Sequence, residues 1–249
     1  MSFERKPYLR RIVFRPDAKP DFDAYPCNIP AVQALEQIEF HPDVTFFVGE
    51  NGSGKSTVLE AIALALDFGP EGGTRNLRFR TTEAAVSPLH EMLRPVRSIG
   101  RPTDGYFLRA ESFYNVATAM DGIGLLGSYG GRSLHERSHG EAFMALLIHK
   151  FRGKGLYLLD EPEAALSPNR QLAALRAIDE LVRDDSQFII ATHSPILLAY
   201  PRARIIGFDG TGVSTMTYED TEHFATTRDF LNNYQRRLEQ LLDEKAQEL

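Results

Sequence analysis

Three short segments contain residues suited to binding and cleaving a phosphate anhydride. Residues 49–56 read Gly-Glu-Asn-Gly-Ser-Gly-Lys-Ser and fit the pattern G-x-x-x-x-G-K-[ST] at every fixed position. Residues 156–163 place acidic side chains directly after four apolar residues, and residues 191–195 read Ala-Thr-His-Ser-Pro. An ammonium, a hydroxyl, carboxylates and an imidazole are the groups that bind phosphates, hold Mg²⁺ and move protons. The three segments together predict nucleotide chemistry.

The glycine-rich segment is expected to form a phosphate-binding loop. Its glycines let successive backbone N–H groups point inward, and the helix after it adds partial positive charge. Lys55 can reach the β- and γ-phosphates, and the Ser56 hydroxyl can ligate Mg²⁺. The alternative is a glycine turn with a solvated lysine, but the order strand, loop, helix favours a nucleotide site. As a loop lysine, Lys55 is expected to be exposed and to add little to stability. The residues predicted to contact the nucleotide are Glu50, Asn51, Gly52, Ser53, Gly54, Lys55, Ser56 and Thr57.

The acidic segment is predicted to serve catalysis. Asp160 is suited to hold Mg²⁺, and Glu161 is suited to orient or deprotonate the attacking water. The alternative is an acid-rich helix N-terminus, which we prefer for Glu163 because Ser167 and Pro168 also suit a helix start. Two adjacent acids are harder to explain without a metal, because like charges repel.

Two further segments could bind phosphate oxygens. His193 follows an apolar strand, where an imidazole could contact the γ-phosphate and sense its loss. Alone, such a histidine is more often structural, but the other two motifs favour a functional role. Ser138 and Gly140 begin a helix and would form a second anion-binding element. That pattern alone is weak, since many helices begin this way.

The elements that must position these residues alternate between strand and helix. Predicted strands carry apolar or β-branched runs. Helices are predicted over 55–66, from residue 140 onward, and over the apolar stripe between residues 172 and 182. This alternation predicts an α/β fold with a mostly parallel sheet flanked by helices, whose ligands bind beyond the carboxyl ends of the strands. We expect one domain over 1–249, an insertion over 71–140 and a charged amphipathic helix over 227–249. The predicted strands are 9–14, 37–40, 44–48, 106–109, 156–159, 188–191 and 204–208.

Composition limits the classes of protein that fit. The 249 residues carry a net charge of −6, which argues against a uniformly basic nucleic-acid coat without excluding a local patch. A single cysteine, Cys27, permits no intramolecular disulfide and fits a reducing compartment. No apolar run is long enough for a signal peptide or a bilayer span, so we expect a cytoplasmic protein without direct membrane insertion.

Taken in their order along the chain, the motifs resemble those of the ABC ATPase superfamily. Residues 49–56 look like its Walker A motif, 138–141 like its signature sequence and 156–161 like Walker B with the catalytic glutamate. Residues 164–167 are similar to its D-loop, and His193 to its switch histidine. The sequences Asp-Glu-Pro-Glu at 160–163 and Ala-Thr-His-Ser-Pro at 191–195 are most similar to those of small soluble ATPases related to RecF and the structural-maintenance-of-chromosomes proteins. Many of these ATPases are described as AAA-family. The resemblance covers about residues 37–208. It implies a P-loop fold, ATP and Mg²⁺ as cofactors, and ATP hydrolysis.

The resemblance also implies that ATP is held between two copies of the chain. ATP on the Walker motifs of one copy would meet Ser138 and Gly140 of the other, giving an ATP-dependent homodimer. Two features depart from the family pattern. The signature has Arg137, His139 and Glu141 where leucine, glycine and glutamine are usual, and no glutamine lies between residues 37 and 171 to form a Q-loop. Glu111 is the candidate substitute and would bind Mg²⁺ or its water.

Two processes could use such an ATPase. Residues 75–109 hold seven arginines and three acidic residues, which favours a soluble ATPase of DNA repair or genome defence with nucleic acid as a candidate partner. A solvated insertion explains the same arginines equally well. The alternative is the ATP-binding subunit of a membrane transporter, against which the missing glutamine counts. A small-molecule kinase fits less well, because it needs neither the signature nor the Asp-Glu pair.

Overall fold

The computed structural model describes residues 6–75, 87–109 and 138–247, with side chains described to residue 242. Its strands are β1 (Leu9–Phe14), β2 (Gln37–Glu39), β3 (Val44–Val48), β4 (Leu93–Arg97), β5 (Asp104–Arg109), β6 (Gly155–Asp160), β7 (Gln187–Ala191), β8 (Ala203–Asp209) and β9 (Gly212–Met216). Its helices are α1 (Pro30–Gln33), α2 (Lys55–Ala65), α3 (Leu89–Met92), α4 (His139–Ala145), α5 (Pro168–Arg183), α6 (Pro195–Leu198) and α7 (Glu222–Gln247). A π-helical turn, Leu146–Lys150, continues α4, and Pro162–Ala165 is a 3-10 turn.

The main sheet has six strands in the order β5-β6-β7-β3-β8-β9. The first five are parallel, as the alternation of strands and helices predicted, and β9 returns antiparallel to β8. The α/β P-loop fold class predicted from the sequence is confirmed. β9 was not predicted, because this edge strand has no continuous apolar run and only its first residue is buried.

Alternate residues of the central strands pack into two separate apolar cores. Phe46 and Leu159 face the core that α4 and α5 cover, whereas Phe47 and Leu158 face the core that α2 covers. Successive side chains of a strand point to opposite faces, so a strand covered on both sides must be apolar throughout. This explains why β3, β6 and β7 are buried at every position.

A second sheet of three antiparallel strands, in the order β2-β1-β4, lies beside the first. The sequence did not predict β4, whose Pro95 is tolerated because β4 is an edge strand. The buried side chain of Gln187 joins the two sheets. Its Oε1 accepts from Leu9 N at 2.9 Å, and its Nε2 donates to Leu9 O at 2.9 Å and to His41 O at 3.0 Å.

The interval 71–140, expected to be an insertion, contributes to both sheets where it is described. β4 joins the smaller sheet, and β5 is the edge strand of the main sheet beside β6. The C-terminal helix starts at Glu222, five residues earlier than predicted. The cause is Thr221, whose buried hydroxyl accepts from Phe224 N at 3.3 Å and so caps the first turn. Within the described ranges, no helix is both long and apolar enough to cross a bilayer.

Candidate functional site

The predicted site residues meet where three neighbouring strands end. β7 lies between β6 and β3 in the main sheet, with Ala191 in register with both Asp160 and Phe47. The loop after β3, the acidic end of β6 and the loop after β7 therefore share one edge. The rule that ligands bind at the carboxyl ends of parallel strands places a site there.

The glycines of the loop 49–54 are required by its backbone. Gly54 precedes α2 with a φ of 99°, and a Cβ on it would lie 2.8 Å from the Ile29 side chain. Gly49 has a φ of 152°, and a Cβ there would collide with the carbonyl oxygen of Phe208. Because L-residues rarely adopt such angles, the loop can curl tightly only with glycine at these positions. Its backbone N–H groups then lie at the start of α2, where anions are favoured.

Lys55 is buried, at 4% exposure, which corrects the expectation of an exposed loop lysine. Its Nζ donates to the carbonyl oxygens of Gly49 at 2.8 Å and Glu50 at 2.7 Å. An ammonium has three protons, so one remains for a phosphate oxygen. Burial lowers the pKa of Lys55, and the nearby carboxylates of Glu161, Asp160 and Glu163 oppose that shift. These carboxylates favour the charged form, which binding phosphate requires.

Ser56 and Asp160 form the link between the loop and the acidic strand. The Ser56 hydroxyl donates to Asp160 Oδ1 at 2.9 Å. Mg²⁺ prefers oxygen ligands, usually one or two from the protein with substrate phosphates and water completing the shell. The described residues contain no group of three or more histidine, cysteine or acidic side chains fit to hold a metal by themselves. A hydroxyl and a carboxylate in contact therefore suit Mg²⁺ carried by a nucleotide, which would neutralise phosphate charge.

Glu161 lies one residue further on, in an unusual backbone conformation. Its φ of 47° and ψ of 53° are left-handed, and its N–H donates to Ala191 O at 2.9 Å. This geometry turns the chain sharply after β6. The side chain is 40% exposed, and its Oε1 lies 3.6 Å from His193 Nε2. A partly solvated carboxylate beside the phosphate loop is suited to orient or deprotonate water.

From the sequence, Glu163 was interpreted as part of an acidic helix start. In the structure it also makes a contact within the candidate site. It does lie in the first turn of the 3-10 segment, but its Oε1 accepts from the backbone N–H of His193 at 2.5 Å. Burial raises the pKa of Glu163, and the hydrogen bond from His193 opposes that shift. Glu163 thus holds the loop after β7 against the segment after β6. Glu163 and His193 are 30 residues apart, and their spacing in the sequence did not predict this contact.

The imidazole of His193 lies between Glu161 and a second histidine. His193 Nδ1 and His223 Nε2 are 2.8 Å apart, and their ring centroids are 5.0 Å apart. Burial lowers the pKa of His193, as does the positive charge of Lys55, while Glu161 opposes the shift. His223 was not among the predicted site residues. It precedes residue 227, where the C-terminal helix was predicted to begin, and nothing in the sequence indicated that it would reach the site.

The signature segment forms the N-terminus of α4. Ser138 and Glu141 make a capping box, with Glu141 N donating to Ser138 Oγ at 3.4 Å and Ser138 N donating to Glu141 Oε2 at 2.9 Å. Arg170 of α5 donates to Ser138 Oγ at 3.3 Å and to Glu141 Oε1 at 3.3 Å. A Cβ on Gly140 would lie 2.6 Å from Ala165 O, so glycine allows α4 to approach the D-loop segment closely.

The remaining predicted residues fall in different places. Glu50 and Asn51 line a cavity of about 510 Å³ together with His193 and His223. Thr57 is in the first turn of α2, with its hydroxyl 3.5 Å from the Tyr25 hydroxyl. Glu111, the candidate Q-loop substitute, lies outside the described residues.

Two family models match the chain. Residues 27–92 match an AAA domain, and residues 131–199 match a second AAA domain, whose description also names the AbiEii toxin and type IV toxin–antitoxin systems. Both models belong to P-loop ATPases, consistent with the positions of the motifs.

Curated relatives align with most of the chain. The thiamine import ATP-binding protein ThiQ of Cereibacter sphaeroides is 30% identical over 164 residues, covering 59% of this chain and 69% of that protein. The hemin import ATP-binding protein HmuV of Nocardia farcinica is 28% identical over 203 residues, covering 74% of this chain and 70% of that protein. Among solved structures, the SMC head domain from Thermotoga maritima has a TM-score of 0.40 and 18% identity, covering 85% of this chain and 99% of that chain.

Proposed function

Since the chain belongs to the ABC-type superfamily of P-loop ATPases, we propose that it binds ATP with Mg²⁺ between two copies of itself and couples hydrolysis to a membrane-embedded partner. The chain is an ATP hydrolase. The dimeric arrangement, the roles of individual residues and the coupled process are parts of the proposal.

The hydrogen bond between Ser56 and Asp160 carries the proposal for the nucleotide site. It brings the two Mg²⁺-compatible oxygens into contact beside the Lys55 ammonium. Glu161 lies next to this pair and would position the attacking water. In this arrangement Lys55 neutralises phosphate charge, Ser56 and Asp160 hold the metal, and Glu161 acts on water.

The signature segment supports the two-copy arrangement. Ser138 and Gly140 begin α4, whereas the phosphate loop precedes α2, and the start of a helix is suited to binding an anion. One ATP can engage both elements when they come from different chains, as the family resemblance implies. Bound ATP would then hold the two copies together, and hydrolysis would release them.

The relatives favour a transporter as the coupled system. The names of both curated relatives describe ATP-binding proteins for import, of thiamine and of hemin. The role in DNA repair or genome defence that the sequence first suggested is less well supported.

Of the arginines behind the nucleic-acid hypothesis that the structure describes, three contact other side chains. Arg109 pairs with Glu60 at 3.1 Å, and Arg97 lies 4.0 Å from Asp67. The Arg75 guanidinium lies over the Phe68 ring, 5.0 Å from its centroid. These contacts reduce the basic surface available to phosphates. The missing Q-loop glutamine still favours a soluble ATPase as a second candidate function.

The two candidates can be separated by the rate of ATP hydrolysis and by sedimentation. For a transporter subunit, we expect Mg²⁺-dependent hydrolysis that duplex or single-stranded DNA does not change, and co-sedimentation with native membranes but not with protein-free vesicles. Stimulation by DNA, weakening steeply with salt, would instead support the second candidate. A purified chain that hydrolyses no ATP with Mg²⁺ in any of these conditions would contradict the proposed activity.

A further inference from the structure

The start of α7 is fixed against the loop that carries His193. The Tyr218 hydroxyl donates to Pro195 O at 2.8 Å, two residues after His193. The buried Thr221 hydroxyl donates to Tyr218 O at 2.7 Å and accepts from Phe224 N at 3.3 Å. The ring centroids of Tyr218 and Phe224 lie 4.5 Å apart. These contacts hold the backbone on both sides of His223, so its approach to His193 is built into the fold.

The contact between the two imidazoles constrains their protons. A hydrogen bond of 2.8 Å between His193 Nδ1 and His223 Nε2 needs one donor and one acceptor. If His193 Nδ1 donates, the opposite nitrogen of a neutral His193, Nε2, carries only a lone pair. If His223 Nε2 donates, His193 Nε2 carries the proton. The hydrogen bond made by one ring nitrogen therefore decides what the other can do.

The surroundings of His193 Nε2 favour the second arrangement. This atom is buried, has no hydrogen-bond partner among the described residues and lies 3.6 Å from Glu161 Oε1. A carboxylate and a phosphate oxygen are both acceptors, so an N–H facing them is favourable and a lone pair is not. The nearby cavity of about 510 Å³, lined by Asn51, His193 and His223, opens beside the phosphate loop.

We propose that His223 is a positioning residue that donates from Nε2 to His193 Nδ1 and thereby keeps the proton of His193 on Nε2, facing Glu161 and the γ-phosphate. The proposal rests on the proposed function in that His193 acts on the nucleotide. It makes hydrolysis depend on the first turn of the C-terminal helix. A displacement of that turn would free His193 to take the inactive tautomer without touching the phosphate loop.

The tautomer can be measured without any ATPase assay. In ¹⁵N-histidine spectra of the full chain, we expect His193 as the Nε2–H tautomer, assigned by comparison with His193→Gln. His223→Gln keeps an amide N–H at the reach of Nε2 and should preserve this tautomer. His223→Asn carries the same amide on a side chain one methylene shorter, which should not reach His193 Nδ1. In this variant His193 should therefore be a mixture of the two tautomers. His149→Ala, an exposed histidine outside the site, is the control. A wild-type His193 protonated only on Nδ1, or an unchanged tautomer in His223→Asn, would overturn the proposal.

Hydrolysis rates provide the second test. We expect His223→Asn to lower kcat by about 10–100-fold, as when the outer partner of a functional histidine is lost, with KM for ATP little changed. His223→Gln should recover most of the rate. In a His193→Gln background, His223→Asn should add no further loss, because it acts through His193.

The two proposals fail in different ways. If His193→Gln lowers kcat but His223→Asn and His223→Gln do not differ, His223 is only structural and the proposed function stands. If the wild-type chain hydrolyses no ATP, the proposed function fails, while the spectra still decide the tautomer. A His223→Gln protein that is as slow as His223→Asn would also contradict the role of the donated proton.

Discussion

The Ser56 hydroxyl donates a hydrogen bond to Asp160 Oδ1 across 104 positions of sequence. This contact joins the start of α2 to the end of β6 and sets side by side the two oxygens that we propose as Mg²⁺ ligands. Ligands that are already in place lose little conformational freedom on binding. The proposed roles of Lys55 and Glu161 depend on this arrangement, because both lie next to it.

Lys55→Ala is expected to abolish useful ATP binding. Hydrogen bonds to charged groups contribute about 1.5–3 kcal/mol, so losing the one to phosphate weakens binding at least about tenfold. Because Lys55 is buried and serves two carbonyl oxygens, this variant should also lower Tm, unlike an exposed loop substitution. Fluorescent-nucleotide titration and thermal unfolding measure the two effects. Unchanged affinity in the folded variant would contradict the phosphate-loop assignment.

Glu163→Ala should reduce kcat, whereas Glu163→Gln should retain most of it. Glutamine keeps an oxygen that can accept from His193 N, and alanine does not. Steady-state kinetics on the two variants measure the difference. Equal rates for both variants would show that the contact with His193 N does not affect hydrolysis.

Glu163 should also make stability depend on pH. Because burial raises its pKa in the folded state, the unfolded chain loses its proton first as pH rises, and stability falls between the unfolded and folded pKa values. Glutamine has no proton to lose. Glu163→Gln should therefore be more stable than wild type at pH 8, with a difference that shrinks as pH is lowered toward 5. Urea denaturation at several pH values tests this, and a difference that grows toward low pH would have the wrong sign.

Arg170→Ala should weaken the ATP-dependent dimer without much effect on Tm. The guanidinium is 39% exposed, and exposed ion pairs add little stability. Its contacts with Ser138 and Glu141 nevertheless orient the segment proposed to bind the partner's ATP. Sedimentation of Arg170→Ala in a Glu161→Gln background should show several-fold weaker association. Arg176→Ala, which breaks an exposed pair within α5, is the matched control and should associate normally.

The sequence predicted the parts of the site that lie in contiguous motifs. The phosphate loop, Asp160 and Glu161 each follow an apolar strand, and the parallel topology brings those strand ends together. Contacts that depend on packing left no local pattern. Glu163 and His223 lie 30 positions before and after His193, and neither spacing nor residue type pointed to contact with it. β4 and β9 were missed because edge strands do not need the apolar run of a buried strand.

Glu161→Gln is expected to lower turnover by about 10²–10⁴-fold, or about 3–5 kcal/mol in barrier, while ATP still binds. The substitution keeps the size of the side chain and removes the base. Phosphate-release assays and nucleotide titration on the same preparation measure both properties. Normal hydrolysis by this variant would refute the catalytic role of Glu161.

The mass of Glu161→Gln in solution tests the central claim most directly. Because this variant should bind ATP without cleaving it, ATP and Mg²⁺ should trap two copies. Light-scattering chromatography should then show twice the 28.0 kDa mass of one chain, and the single mass without nucleotide. Adding Ser138→Arg should return the protein to 28.0 kDa with its own phosphate loop still able to bind ATP. A variant that binds ATP yet keeps one mass with and without it would contradict an ATP site shared between two copies.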